Sequence, residues 1–520
     1  MNVARRRTSL LALASCALAA CSDGIAPAAP GAIPPQLALG GPSVVVNSLA
    51  DPGDGSCEAD ECTLREAIGA VDVGGTITFS VTGTIALTAG ELAIGKALSI
   101  AGPGAGALTI DAASASRVAL VQGAGAVSLA DLTLANGATG GPGGCIQNEG
   151  STLRLTRAVV TGCSSQGAGG GLGNAGYAGT VGQLYLDRVT VSNSWAANGG
   201  GGIYNNHDGL LTVDASTVSG NEGREGGGVG TTGYATIRSS TFSGNRARFH
   251  GGGIYAADRP LPGMDVSFST IVGNVSDADN NGDGDGGGIF NSQGSFTLTG
   301  SLVAGNADGG GQAPDCGALN PQVAAGGRNL IGNLTGCSAY AATAAVSGVA
   351  PLVGALADNG GPTRTHALLV GSPAIDAAGT PCPAADQRGV SRPRGTACDI
   401  GAFEFGIDVA IDVRPGSTDN TISLKIGGLL PVAVLSSATI DASLVNVATA
   451  RINNAGAAKR TNGTYLSSLE DVNADGRVDL VLFFEVSKLG LTLQTTSLTL
   501  RATLTDGRQI QGTDAIRVVK

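Results

Sequence analysis

Residues 241–255 read TFSGNRARFHGGGIY, and the order of their parts decides the fold. A short β-forming run ends in Gly244-Asn245, a polar stretch follows, and three glycines lead into the apolar Ile254. The same order recurs along the middle of the chain. Sister runs are LTLAN (132–136), VVTGC (159–163), VTVSNS (189–194), TVSGN (217–221), TIVGN (270–274) and LVAGN (302–306). The matching glycine clusters are GGCIQN (143–148), GGGLGN (169–174), GGGIYN (200–205), GGGVG (226–230) and GGGIF (286–290).

Successive run ends lie 27, 31, 27, 24, 29 and 32 residues apart, so loops vary while the unit does not. Between the landmarks, segments such as Leu211–Asp214 and Ala235–Arg238 place apolar residues at every second position, the mark of half-buried strands. Each unit therefore reads as two or three short strands. No amphipathic helix follows each strand, as a TIM barrel or doubly wound fold would need, and the units are shorter than a propeller blade. The expected fold is all-β: a right-handed parallel β-helix, whose coils stack at about 4.8 Å because no coil buries its own inner face.

Composition agrees. Glycine supplies 85 of 520 residues and aromatics only 3%, too few large side chains for one compact core. A net charge of −11 with five lysines (Lys96, Lys425, Lys459, Lys488, Lys520) argues against nucleic-acid partners, which need a basic footprint.

The N-terminus, MNVARRRTSLLALASCALAAC, has a basic start and an apolar run from Leu10 to Ala20, the layout of an export signal over residues 1–21. Its end, Leu18-Ala19-Ala20-Cys21, resembles the lipobox of bacterial lipoproteins, which implies acylation of Cys21 and a membrane partner through the lipid. Ser22 follows where aspartate would favour inner-membrane retention, so the resemblance implies anchoring to the outer membrane or cell surface. Residues 22–42 are a Pro/Ala/Gly tether. With Cys16 in the signal and Cys21 on the lipid, eight cysteines remain as near neighbours: Cys57 with Cys62, Cys145 with Cys163, Cys316 with Cys337, and Cys382 with Cys398. Export makes disulfides their natural reading, with connectivity open.

A solenoid exposes strand edges at its ends. Residues 57–75 answer this at the first coil: Thr63 and Glu66 form a capping-box pattern, and Leu64, Ala67, Ile68 and Val71 make one apolar stripe on a short helix. The run CTLREA (62–67) resembles the CSLREA motif of exported bacterial β-helix proteins, with Thr63 in place of Ser. The repeats are similar to those of polymorphic outer-membrane-protein adhesins. NLIGNLTGC (329–337), PLVGALADNGGPTRTHALLVGSPAIDAAG (351–379) and DQRGVSRPRGTACDIGAFEF (386–405) resemble the choice-of-anchor Q domain. Together these resemblances span residues 43–405 and imply a β-helix at the cell surface, ending in the block 329–405, with no settled activity.

From residue 408 to 520 glycine clusters cease and about seven alternating strands suit a small antiparallel β-sandwich. It holds Asp471-Val472-Asn473-Ala474-Asp475-Gly476-Arg477-Val478-Asp479. Side-chain oxygens of Asp471, Asn473, Asp475 and Asp479, a turn at Gly476 and the carbonyl of Arg477 form the oxygen set of a calcium loop. Leu482 stands where an EF-hand would place glutamate. Asp277, Asp279, Asn281, Asp283 and Asp285 repeat the spacing in a repeat loop, where Gly-Asp runs also serve as soluble turns.

An active site is harder to see. Asp187, Arg188, Asp214, Arg238, Asp258, Arg259 and Asp265 lie on or near strands and read as scattered, solvated charges. His207, His250 and His366 share no metal spacing, and neither GxSxG nor GxxxxGK occurs. Trp195, Tyr204 and Tyr255 lie near comparable repeat positions, as a sugar-stacking ladder or as packing between coils. The expectation is a monomeric, non-enzymatic surface protein binding a glycan or surface protein; a β-helix enzyme acting on an acidic polysaccharide is the alternative.

Overall fold

A computed structural model describes residues 42–520 apart from 258–262, 320–321, 325, 380, 426, 439 and 454. The signal segment with Cys21, the tether up to residue 41, and the pair Asp258 and Arg259 lie outside the described residues.

The chain is a parallel β-solenoid followed by small, largely antiparallel sheets. In the coil holding the opening stretch, strands run Tyr234–Arg238, Thr241–Ser243, Arg246–Ala247 and Ile254–Ala256. Stacking coil on coil gives parallel sheets of 11, 11, 7 and 9 strands in that order around the coil. The two-residue third strand brings the coil to four strands where the sequence indicates two or three, because two residues are too few to show alternation. Ile237, Phe242 and Ile254 point inward and are fully buried.

Each landmark residue has its own physical cause. Gly244, Gly273 and Gly305 turn the chain between the second and third sheets at φ +64°, +72° and +67°, a left-handed conformation that costs most side chains energy. Asn245, Asn274 and Asn306 follow them and are buried as a ladder. Asn245 Nδ2 donates to Asn274 Oδ1 at 2.8 Å, and Asn274 Nδ2 donates to Asn306 Oδ1 at 2.9 Å. Asn306 Nδ2 in turn donates to Asp315 Oδ1 at 2.9 Å. A carboxylate suits the last rung because it accepts and has nothing left to donate. In the glycine cluster, Gly251 takes φ +70°. A Cβ on Gly252 would sit 2.4 Å from Gly287 O. A Cβ on Gly253 would sit 2.6 Å from Gly288 O and 3.2 Å from Asn274 Cγ, so the third glycine makes room for the backbone and the ladder of the next coil.

Four disulfides pair the cysteines as neighbours: Cys57–Cys62, Cys145–Cys163, Cys316–Cys337 and Cys382–Cys398. Cys145 occupies a third-glycine position, in line with Gly171 and Gly202, and Cys163 an asparagine position. Their bond thus replaces the glycine–asparagine contact between adjacent coils. The first coil is covered by the helix Leu64–Ala70, whose capping box is formed on both sides by Thr63 and Glu66. Its Leu64, Ala67 and Ile68 join the solenoid core.

The solenoid ends at the strand Ala344–Ser347. The rest of the block 329–405 leaves the stack, forms the antiparallel hairpin Val353–Ala357 with Thr365–Leu368, and returns along the outer side of the second sheet. Gln387 Nε2 donates to Thr217 Oγ1 at 2.9 Å, Thr241 Oγ1 donates to Gln387 Oε1 at 2.6 Å, and Ala402 N donates to Thr270 Oγ1 at 2.9 Å. Farther along, Leu302 and Leu330 pack with Leu368, Ile400 and Phe403. This brace explains why outward-facing Thr217, Thr241 and Thr270 are buried. The DQRG…DIGAFEF stretch is its internal clamp: Asp386 pairs with Arg388 at 2.7 Å and Arg392 with Glu404 at 3.2 Å.

His366 fastens the hairpin. Its Nδ1–H donates to Gly354 O at 2.7 Å and its Nε2 stands 2.9 Å from Ser243 Oγ, an arrangement suited to the neutral ring. Burial holds its pKa below the usual histidine value against the pull of the Gly354 carbonyl. In an unfolded chain the ring charges near pH 6.5, whereas in the fold it stays neutral to lower pH. The stability this provides is complete above the unfolded value and is lost as pH falls through the folded one. Proteolysis within 351–405 should therefore accelerate on acidification below pH ~6.5, with a shallower pH dependence in His366→Gln; identical profiles would refute the assignment.

Residues 407–519 form two main sheets of five and four strands with one apolar core that includes Val432, Leu482 and Phe484 from one and Ile452, Leu500 and Ile510 from the other.

Candidate functional site

Three places on the molecule gather functional side chains. The first lies along the outward row of the fourth sheet. Register places Gly173, Tyr204, Gly230, Tyr255, Phe290 and Gly317 one above another. Tyr204 and Tyr255 are half-buried and present their remaining surface outward, with Gly230 as the intervening rung. Phe290 is buried beneath His250, whose ring stacks on it at 4.0 Å. The His250 Nδ1 accepts from Asp285 N at 3.0 Å, and burial holds its pKa down. Arg224 lies 4.9 Å over the Phe249 ring. Trp195 belongs to a different row, on the short third sheet beside Ser164 and Glu222. Two of the three aromatics expected as a ladder therefore share a face and the third does not.

The second place corrects the expectation of scattered charges. Thr156, Asp187, Asp214 and Arg238 are successive register partners at the ends of first-sheet strands. Variable loops hide this from the sequence: spacings of 27 and 24 residues return to one point on the coil. Arg188 pairs with Asp187 at 2.7 Å, Arg238 with Asp214 at 3.6 Å, and the neighbouring Arg157 with Asp131 at 2.5 Å. Burial, offset by Arg238 and reinforced by Asp187, pushes the Asp214 carboxyl above its ordinary pKa. Asp265 lies one row inward along the strand and accepts from Tyr234 Oη at 2.8 Å.

The third place is the pair of acidic loops. Asp471 accepts from Asp475 N at 3.1 Å and Gly476 N at 2.9 Å. Asp277 does the same with Asn281 N at 2.9 Å and Gly282 N at 3.0 Å, so the two loops share one backbone clamp. Asn473 Oδ1 accepts from Asp475 N, and Asp475 Oδ1 from Arg477 N. Asp479 is buried and takes Ser436 N and Val472 N. In the repeat loop Asn281 donates to Asp279 and accepts from Asp283 N. The donor set is all oxygen, as a hard cation requires. Among the described residues, no three carboxylate, imidazole or thiolate groups converge into a ready metal cage.

No known protein family matches the chain, and no curated protein does. A solved structure described as pectate lyase Pel9A resembles it with a TM-score of 0.42 at 12% identity, covering 70% of this chain and 96% of that one. At that level the likeness bears no weight on function.

Proposed function

We propose that this chain is an exported surface protein whose solenoid holds an extended glycan along its flank and releases it chemically unchanged. The observation that carries this reading is the in-register placement of Tyr204 and Tyr255, partly open and two rungs apart. Four disulfides fit the oxidising conditions outside the cytoplasm. Retention on immobilised acidic and neutral polysaccharides tests it. With each stacked ring contributing roughly 0.5–1.5 kcal/mol, the double variant Tyr204→Ala/Tyr255→Ala should bind about tenfold more weakly. Unaltered retention would remove the basis of the proposal.

The alternative, a carbohydrate-active enzyme, draws on the charged row. Asp187 and Asp214 sit one rung apart between Arg188 and Arg238, and burial raises the Asp214 pKa, the direction a general acid needs. New reducing or unsaturated ends in the same incubations, abolished in Asp214→Asn, would favour this reading over simple binding.

For the acidic loop 471–479 we propose calcium, held by Asp471, Asn473, Asp475, Asp479 and the Arg477 carbonyl. Bound ion would neutralise the carboxylates and tie the loop to the sandwich. Calcium at about a hundredfold excess over Kd should stabilise the sandwich by ~2.7 kcal/mol, and Asp475→Ala should remove most of the gain. A melt indifferent to calcium would exclude the site.

A further inference from the structure

Register stacks Ser128, Arg154, Tyr185, Thr212, Thr236 and Asp265 in one outward row of the first sheet. Arg154 lies in the strand Thr152–Thr156, where Leu153 and Leu155 point into the core and send it outward. It is only 7% exposed, and its guanidinium stands 5.0 Å over the half-buried ring of Tyr185. None of its nitrogens has a hydrogen-bond or ion-pair partner among the described residues, and none is sealed from solvent. A guanidinium so nearly covered and without a hydrogen bond is an exception that asks for a reason.

The neighbouring charges do not supply one. Within one rung on this face, Arg157 pairs with Asp131 and Arg188 with Asp187, so two carboxylates and two guanidiniums cancel and the charge of Arg154 is left over. The Asp214–Arg238 pair farther along is also neutral. Asp265 stands four rungs from Arg154, roughly 19 Å at about 4.8 Å per rung. Stacking on Tyr185 engages the flat face of the guanidinium and leaves its edge, which carries the N–H groups, unengaged. Half-buried polar groups in the same condition surround it. Gln183 Oε1 accepts from Tyr185 Oη at 2.9 Å, which leaves the Gln183 amide nitrogen free to donate. The hydroxyls of Thr152 and Thr212, on the strands to either side of Tyr185, have no protein partner among the described residues.

We infer that this face binds an acidic glycan through a uronate unit, whose carboxylate takes the edge of Arg154. The planar guanidinium matches a carboxylate in shape and charge. The open part of Tyr185 offers the sugar ring an apolar seat, while Thr152, Gln183 and Thr212 meet its hydroxyls. A single uncompensated guanidinium suits one carboxylate rather than the dense charge of a nucleic acid. The site involves neither Tyr204 nor Tyr255, so it stands or falls apart from the fourth-sheet reading, and it requires no turnover at Asp214.

Calorimetry on the full chain tests this with three probes: linear tri-D-glucuronate, the neutral glucose trimer of the same linkage, and tri-L-glutamate, which has carboxylates but no sugar ring. Tri-D-glucuronate should bind, and each of the others at least tenfold more weakly. Arg154→Gln should weaken tri-D-glucuronate about tenfold, through loss of one charged hydrogen-bonded contact, and bring it level with the neutral trimer. Tyr185→Leu should weaken it about fivefold and gives an independent measurement if Arg154→Gln lowers the melting temperature. Tyr204→Ala/Tyr255→Ala should leave tri-D-glucuronate binding in place. The inference is overturned by no binding of tri-D-glucuronate, by equal binding of either control probe, by unchanged affinity in Arg154→Gln or Tyr185→Leu, or by loss of binding in Tyr204→Ala/Tyr255→Ala.

Discussion

Replacing Arg392 by methionine should destabilise the brace by about 3–5 kcal/mol, the usual cost of stranding one member of a buried ion pair. Arg392 and Glu404 are both completely buried, 3.2 Å apart. Arg392 also donates to the Asp399 carbonyl at 2.8 Å and the Gly401 carbonyl at 2.7 Å, and its guanidinium lies 5.4 Å from the Phe268 ring of the solenoid. The variant leaves two carbonyls without their donor and the Glu404 carboxylate without its counter-charge, held only by Arg394 N and Asp399 N. Glu404 would then be forced toward its protonated form, to which burial already biases it. The double variant Arg392→Met/Glu404→Met should regain only the part due to the stranded Glu404 charge, because Arg394 N and Asp399 N then lose their acceptor. Hydrogen exchange across 351–405 measures both. Protection within ~1 kcal/mol of wild type in the single variant would show that the pair does not hold the brace.

The second large effect is expected inside the solenoid. Asn274→Leu removes the acceptor of Asn245 N at 3.0 Å and Asn245 Nδ2 at 2.8 Å, and the donor to Phe242 O at 3.1 Å. Asn245 N and Phe242 O lose these bonds and Asn245 Nδ2 keeps only Val218 O at 2.9 Å; at roughly 1–3 kcal/mol for each stranded group, a loss of at least ~2 kcal/mol should follow. Asn198, exposed on a loop with its side chain bonded to Gln166 O, is the control: Asn198→Ala should stay within about 0.5 kcal/mol. Urea unfolding followed on both variants would decide, and equal small losses would mean that the ladder is decorative.

The opening stretch shows how far sequence reasoning reached. The recurrence of SGN and GGG was sufficient to predict stacked parallel strands, because a left-handed turn takes glycine or, as at Asn136 and Asn193, asparagine, and a residue under a neighbouring backbone has no room for a side chain. The helix at 64–70 was legible for a similar local reason: Thr63 and Glu66 carry its start in four residues. Contacts distant along the chain were not. Gln387 reaches Thr217 across a separation of 170 residues, and nothing in the repeat marks Thr217 as covered. The charged row escaped because irregular loops disguise common register, so Asp187 and Asp214 look unrelated until the coils are stacked.

The brace also has a bearing on how such a chain can change length. It touches consecutive coils from Thr217 through Thr241, Thr270 and Leu302 to Leu330, and so acts as a gauge with fixed graduations. Adding a coil between those marks would put every later contact out of step by one rung, whereas adding one before Ala215 would simply lengthen the free end. Growth and shrinkage by whole coils should be confined to the N-terminal half, and coil counts across relatives on the two sides of residue 215 would show it.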